Sequence, residues 1–482
     1  MEIDDDRCYE ALKARDTRFD GRFFVGVSTT GIYCRPICTA RLPRRERCTF
    51  FRHAAAAESA GYRPCLRCRP EIAPGVAPVD AVRAAARWAA ARIDEGALND
   101  GGIEPLAARY GLSSRQLRRV VEAEYGVTPV ELAQTRRLLI AKQLLTDSAL
   151  GIAEVAQASG FASVRRFNHL FRTRYGLNPT ALRRQGDAAS GDEILTLKLG
   201  YRPPLAWPQL LAFLGGRGAA GVEQVEGGRY LRSVSLGRHR GWLSAQPLSG
   251  QSALRLQVSV SLMPALTPLL ARVRRLFDLD ANPRVIEEHL ARDPRLRAMV
   301  LRHGGLRVPG AFDGYELALR AILGQQVTVK AATTIYGRFA AAFGEPASTP
   351  HAALRFHAPS AERVADARLQ KLIELGLTQK RAQTIARLSR EVADGSLQLE
   401  AGADAEELMQ HLQSLPGIGA WTASYIAMRA LGHPDAFPHG DLALMKALGL
   451  RKAQDMIAAT EAWRPWRAYA ALHLWTSLSQ GG

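Results

Sequence analysis

No cysteine follows Cys68 in a chain of 482 residues; all six (Cys8, Cys34, Cys38, Cys48, Cys65 and Cys68) lie near one end. This excludes an iron–sulfur cluster or a thiol nucleophile from the remaining 414 residues. A disulfide framework suits secreted chains, and the acidic opening Met1-Glu-Ile-Asp-Asp-Asp does not begin like an export signal. No run of 18 apolar residues occurs, so no membrane-spanning helix is expected. Lysine is scarce, eight of 64 basic residues, which leaves 56 arginines. Acidic residues number only 46, giving a net charge of +18 and a pI near 10.1. A polyanion is therefore the expected partner, with nucleic acid the first candidate.

The length calls for three or four domains. Three prolines fall between Pro70 and Pro78, and a polar Gly/Ser segment covers 183–192; both read as linkers. Between them lies an Ala/Leu/Arg-rich helical block that repeats itself. Leu106-Ala-Ala-Arg-Tyr-Gly aligns with Val155-Ala-Gln-Ala-Ser-Gly, and Tyr125-Gly-Val-Thr-Pro129 with Tyr175-Gly-Leu-Asn-Pro179. Each copy offers a short helix, a turn at Gly111 or Gly160, and a second helix. The second helices carry Arg115, Gln116, Arg118 and Arg119, then Arg165, Arg166, Asn168 and His169, side chains suited to base edges and phosphates. A long helix over 129–146 joins the copies. Beyond 192, alternation in Ile194-Leu-Thr-Leu-Lys-Leu and Leu254-Arg-Leu-Gln-Val-Ser-Val predicts strands, and from about 311 the pattern is helical.

Cys34-x3-Cys38 and Cys65-x2-Cys68 are two ligand pairs suited to tetrahedral Zn2+. Spacing alone fits a structural zinc ribbon. Charge adds a second property: ten arginines against Glu46 and Glu58 lie between Gly21 and Pro70, a phosphate-binding composition. Cys8 and Cys48 read as small buried hydrophobes. The local sequences Thr29-Thr-Gly-Ile-Tyr-Cys34-Arg-Pro-Ile-Cys38 and Gly61-Tyr-Arg-Pro-Cys65-Leu-Arg-Cys68 resemble the N-terminal domain of the Ada methylation-response proteins. That resemblance implies one Zn2+ held by Cys34, Cys38, Cys65 and Cys68. It also implies that Cys34 accepts a methyl group from DNA methylphosphotriesters, once per molecule. The repeated block resembles the AraC-type DNA-binding domain. The second methyltransferase domain of many Ada proteins needs a Pro-Cys-His-Arg motif, which is absent.

In the C-terminal half, Leu415-Pro-Gly417-Ile-Gly419-Ala-Trp421 places two glycines in a tight turn whose N–H groups can approach a DNA phosphate. The surrounding residues resemble the helix–hairpin–helix of DNA glycosylases, and Asp441 stands 22 residues after Gly419 where that family has its aspartate. Val308-Pro-Gly310, Ala321-Ile-Leu-Gly-Gln-Gln326 and Trp463-Arg-Pro-Trp466 extend the likeness to AlkA, the alkylated-base glycosylase. The resemblance implies that a damaged base flips into an aromatic pocket of Phe213, Trp421, Tyr425 and Trp475, where Asp441 faces the sugar. It implies Gln326, where the family has a leucine, as the wedge that fills the gap. Leu415, Gly417 and Gly419 would bind DNA. Lyase members carry Lys at the position of Trp421, so excision without strand cleavage is implied.

The expected fold class is thus multidomain, mainly α with α+β parts. It comprises a four-cysteine zinc domain (1–77), a double helix–turn–helix (78–186), a small α/β domain (192–306) and an all-α helix–hairpin–helix domain (307–482). The resemblances imply a bacterial, cytoplasmic and nucleoid-associated protein, a monomer on alkylated and promoter double-stranded DNA, with RNA polymerase as a partner. They imply excision of 3-methyladenine and 7-methylguanine by a glycosylase fused to a methylphosphotriester-sensing transcription regulator. The alternative is a zinc-dependent transcription activator whose glycosylase half only anchors it to DNA.

Overall fold

The computed structural model describes residues 4–74, 84–99, 101–182 and 193–480. The expected linker at 183–192 and the 75–78 part of that at 70–78 lie outside these residues. The chain forms two compact units. The first comprises Met1–Pro203, Pro247–Ala271 and Leu279–Asn282, and the second Pro204–Gln246, Arg272–Asp278 and Pro283–Gly482.

The first unit begins with helix α1 (Asp5–Lys13), capped by the Asp4 side chain on the Arg7 N–H. Strands β1 (Phe24–Val27), β2 (Ile32–Cys34), β3 (Cys48–Phe51) and β4 (Arg63–Pro64) then form a sheet in the order β3-β1-β2-β4. β1 runs antiparallel to both neighbours, whereas β2 and β4 are parallel, with Tyr33 opposite Pro64. Each of these two strands leads straight into a cysteine, and the Cys65 N–H donates to the Tyr33 carbonyl at 3.0 Å. The parallel register is therefore what brings the two cysteine pairs together. Cys8 and Cys48 are buried, as expected, and burial pushes the Cys8 thiol up to about 11.

Helices α2 (Ala54–Ser59), α3 (Ala84–Asp94), α4 (Ile103–Arg109), α5 (Ser114–Tyr125), α6 (Pro129–Asp147), α7 (Ile152–Ala158) and α8 (Val164–Tyr175) complete the helical part. Reciprocal capping boxes start α5 (Ser113 with Gln116) and α6 (Thr128 with Glu131). Gly111 and Gly160 take φ of +71° and +85° between the paired helices, a left-handed turn that a Cβ would strain. Apolar positions Leu117 and Val121 of α5, and Phe167 and Phe171 of α8, are fully buried, which turns the polar faces outward.

Two buried carboxylates tie the sheet to α6 and α8. Glu58 on α2 accepts from the Tyr33 hydroxyl (2.9 Å), the Thr135 hydroxyl (2.9 Å) and the Tyr175 hydroxyl (3.1 Å). Glu71 accepts from Lys142 Nζ at 2.6 Å and from Arg69 at 2.8 Å. Pro70–Ile72, expected to open a linker, instead forms a helical turn that seats Glu71. Burial pushes the Glu58 carboxyl up from 4.5 to about 7, although its hydroxyl donors and Arg174 act in the opposite sense. A carboxyl raised in the folded state stabilises below its unfolded value, and that contribution is lost as pH rises through about 7. Denaturant unfolding at pH 5 and pH 8 should therefore show wild type losing stability relative to Glu58→Gln, by on the order of 3 kcal/mol. Parallel pH profiles for the two proteins would refute this.

Ile194–Gly200 and Ala253–Ser259 pair antiparallel, Ile194 opposite Ser259, so the two strands expected from alternation are neighbours.

In the second unit, α9 (Trp207–Gly216) is followed by an antiparallel meander of β5 (Glu223–Glu226), β6 (Arg229–Leu236) and β7 (His239–Pro247). The remaining chain is helical. The elements that build the site are α10 (Gly314–Leu323), α11 (Val329–Phe343), α12 (Gln379–Ala393), α13 (Ala405–Ser414), α14 (Ala420–Ala430), α15 (Leu442–Ala447) and α16 (Arg467–Gln480). Side-chain caps from Asp313, Thr328, Thr378 and Asp404 fix the starts of α10 to α13.

Candidate functional site

Cys34, Cys38, Cys65 and Cys68 form one cluster, with all four Sγ atoms within 4.8 Å of one another. Tetrahedral zinc with ~2.3 Å bonds to sulfur requires S···S separations of about 3.8 Å, so this donor set fits one Zn2+. Contact with Cys38 leads in pushing Cys34 up, contact with Cys34 leads in pushing Cys65 down, and Cys38 is lowered to about 7. Four thiolates this close require a cation. Arg35 braces the loop: its N–H donates to Cys68 Sγ (3.3 Å), Nη1 to the Cys68 carbonyl (3.0 Å) and Nε to the buried Asp20 (2.8 Å). Arg35 thus belongs to the core, while Arg41, Arg44, Arg47, Arg52 and Arg67 are the exposed arginines of this block.

On the helix–turn–helix block, Arg115, Arg118, Arg119, Arg165, Arg166 and His169 are exposed and Asn168 is half-buried. Gln116 is exposed too, but its carbonyl oxygen accepts from the Ser113 hydroxyl and N–H at 2.9 Å, so it serves the capping box.

In the second unit, Asp441 begins α15, and its side chain caps that helix through the Leu444 N–H (2.9 Å). The same carboxylate accepts from Trp421 Nε1 at 2.9 Å and from Trp475 Nε1 at 3.3 Å. Indole nitrogens only donate, so this arrangement orients the Asp441 side chain as an acceptor and leaves a lone pair on Oδ2 free. Trp421 and Tyr425, one turn apart on α14, stack at 5.3 Å with an interplanar angle of 6°. Trp475 meets Tyr425 edge-on at 6.4 Å and packs in one cluster with Phe213. Trp421 and Trp475 thus contact Asp441 directly, Tyr425 packs against both indoles, and Phe213 shares a cluster with Trp475.

The turn between α13 and α14 contains Gly417 at φ +93°, where a Cβ would lie 2.5 Å from the Thr384 hydroxyl. Leu415 is buried, Gly419 caps α14, and the Thr384 hydroxyl donates to the Pro416 carbonyl at 2.6 Å. Gln325 joins this turn to the wedge loop, its amide donating to the Gly417 carbonyl and the Thr422 hydroxyl, both at 3.0 Å. Gln326 itself is exposed at φ +56°, on a left-handed bend between α10 and α11.

Two features escaped the sequence reading. Leu442, directly after Asp441, is 80% exposed, which its apolar side chain gave no sign of. Arg217 lies over Phe213, 3.8 Å from guanidinium carbon to ring centroid; the i, i+4 spacing on α9 was the available signal.

Family models match four consecutive stretches: "Metal binding domain of Ada" at 7–71, "Helix-turn-helix domain" at 106–185, "AlkA N-terminal domain" at 196–313 and "HhH-GPD superfamily base excision DNA repair protein" at 319–468. A protein of Mycobacterium tuberculosis named "Probable bifunctional transcriptional activator/DNA repair enzyme AlkA" is 40% identical over 99% of this chain and 97% of its own length. The chain belongs to this AlkA family of bifunctional transcriptional activator/DNA repair enzymes. The family's repair half also stands alone: "DNA-3-methyladenine glycosylase 2" of Escherichia coli is 37% identical over 58% of this chain and 95% of its own length. A solved 3-methyladenine DNA glycosylase from Archaeoglobus fulgidus, 20% identical, shares the fold at a TM-score of 0.50 over 57% of this chain and 96% of that one. Among the described residues no helix is long and apolar enough to cross a membrane.

Proposed function

We propose that this protein both senses and repairs alkylation damage in DNA. The second unit is a monofunctional glycosylase that removes 3-methyladenine and 7-methylguanine. Its supporting observation is Asp441, whose side chain is oriented by two indole N–H groups at the edge of an aromatic cluster. A flipped alkylated purine carries positive charge, which aromatic faces attract by ~0.5–2 kcal/mol. As the N-glycosidic bond breaks, charge moves onto the sugar, and the free lone pair of Asp441 faces it and orients the attacking water. Trp421 stands where a lyase needs an amine, so the abasic strand stays intact. The turn at 415–419 grips a phosphate through its N–H groups, and Gln326 enters the gap left in the stack.

The first unit carries the sensing chemistry. Zinc, when bound, keeps the cysteine sulfurs deprotonated. Cys34 Sγ attacks the methyl carbon of a methylphosphotriester; an S–CH3 bond forms, the O–CH3 bond breaks, and the phosphodiester leaves as its anion. One negative charge is lost from the sulfur cluster, which relieves repulsion from phosphates ~6 Å away by on the order of 2 kcal/mol before salt screening. DNA affinity then rises, and α5 and α8 read promoter DNA for recruitment of RNA polymerase. Domains at 1–77, 78–186, 192–306 and 307–482, a monomeric state and a cytoplasmic, nucleoid-associated location complete this reading.

The deciding experiment incubates the protein with methylated duplex DNA and measures released bases and protein mass in one tube. A single added methyl group mapped to Cys34, together with both free purines, is expected. Methylation on Cys8 or Cys48 would refute the choice of nucleophile, and DNA binding without base release would favour the anchor alternative.

A further inference from the structure

Two guanidinium groups lie over the Phe213 ring and are held in different ways. Arg429 is fully committed: Nε donates to the Pro309 carbonyl (2.7 Å), Nη2 to the Gly310 carbonyl (3.0 Å) and Nη1 to the Tyr425 hydroxyl (2.8 Å). Arg217 is not anchored in this way. It stacks on Phe213 and lies beside the Tyr425 hydroxyl, and among the described residues no carboxylate pairs with it.

Several other arginines stacked on aromatic rings in this unit have carboxylate partners. Arg232 over Phe312 pairs with Glu316 at 2.8 Å, Arg295 over Trp463 with Asp293 at 2.5 Å, and Arg320 over Tyr336 with Glu223 at 2.5 Å. Burial leads in lowering the pKa of Arg217, with Arg429 and Arg320 acting in the same sense and the Tyr425 hydroxyl opposing them. An uncompensated planar cation in a concave aromatic site is costly, and that cost is offset when a ligand supplies the missing acceptor.

We propose that Arg217 is a specificity-determining residue that reads the substituent at position 6 of the flipped purine. This rests on the assignment of the Asp441 pocket as the base site. The guanidinium holds the Phe213 face, then turns its N–H donors to the base that replaces it. Guanine presents a carbonyl oxygen at position 6, which accepts. Adenine presents an amino group, which sets donor against donor. Both 7-methylguanine and 3-methyladenine are cations in DNA, so repulsion from Arg217 largely cancels in the comparison and the position-6 contact decides it. Arg217 therefore favours 7-methylguanine relative to 3-methyladenine.

The test uses the full-length protein on duplex DNA treated with a methylating agent that leaves both lesions. Wild type, Arg217→Ala and Arg217→Gln are compared by the ratio of kcat/KM for the two released bases. Both bases compete for the same enzyme molecules, so the ratio is unaffected by partial loss of folded protein. Arg217→Ala should lower the 7-methylguanine to 3-methyladenine ratio at least ~10-fold, the scale of an unpaired polar contact in a closed site. Arg217→Gln, which keeps an amide donor, should recover part of it. An unchanged or raised ratio in the alanine variant, with both bases still released, overturns the role of Arg217 and leaves the pocket assignment standing. If wild type releases neither base, the pocket assignment falls, and this inference with it.

Discussion

Asp441→Asn should lower base-excision turnover by at least ~10²-fold while damaged-DNA binding stays near wild type. The loss corresponds to removing a ~3 kcal/mol electrostatic contribution that is made only as positive charge develops on the sugar. Binding survives because the turn at 415–419 and the wedge loop, joined through Gln325, do not depend on the carboxylate. The substitution also carries a structural cost. Asp441 accepts from Trp421, Trp475 and the Leu444 N–H, and an asparagine amide turns an NH2 group toward at least one of those donors. A stability decrease of about 1–2 kcal/mol should accompany the kinetic loss. Single-turnover release of 3-methyladenine, alongside binding to an abasic duplex, separates the two effects. Full excision by Asp441→Asn, or a borohydride-trappable imine with wild type, would refute the mechanism.

Zinc removal should unfold the N-terminal sheet region. The cluster joins the loop after β2 to the loop after β4, and β4 is only two residues long, so the parallel β2–β4 pairing has little else to hold it. Metal analysis should find one zinc per chain. Cys38→Ser, Cys65→Ser and Cys68→Ser should each lose it, with stability falling by several kcal/mol, since metal binding supplies much of a small domain's folding energy. Because Glu58 and Glu71 tie this sheet to α6 and α8, promoter binding should fall in the same variants. Excision should persist, because Asp441 and its aromatic neighbours lie in the other compact unit. A metal-free wild type, or a disulfide among the four cysteines, would refute this.

Local chemistry was legible where spacing restricts it. Two cysteine pairs, two copies of a helix–turn–helix and a Gly-Ile-Gly turn with an aspartate 22 residues on are short-range patterns. The structure brings the four cysteines into one cluster and two of the four aromatics, Trp421 and Trp475, onto Asp441. Strands with strict alternation, such as Ile194–Gly200, were equally plain. The β5–β7 meander was not, because its strands are interrupted by arginine, serine and glycine, whose burial depends on partners distant in sequence.

By itself, then, the sequence supplied the two cysteine pairs and the repeated helical block through residue type and spacing, and the aspartate after the hairpin through its resemblance to the glycosylase family. Only the tertiary structure decided what the charges do. Glu58 reads as one acidic residue on a basic surface, yet folding buries it beneath Tyr33, Thr135 and Tyr175. Arg35 reads as a phosphate contact, yet it braces the cysteine loop against Asp20. Arg217 reads as one arginine among 56, yet it lies on the Phe213 ring without a carboxylate partner among the described residues. The reason is physical: whether a charge is solvated, paired or left to a ligand depends on desolvation and on neighbours tens to hundreds of residues away, which no local pattern records.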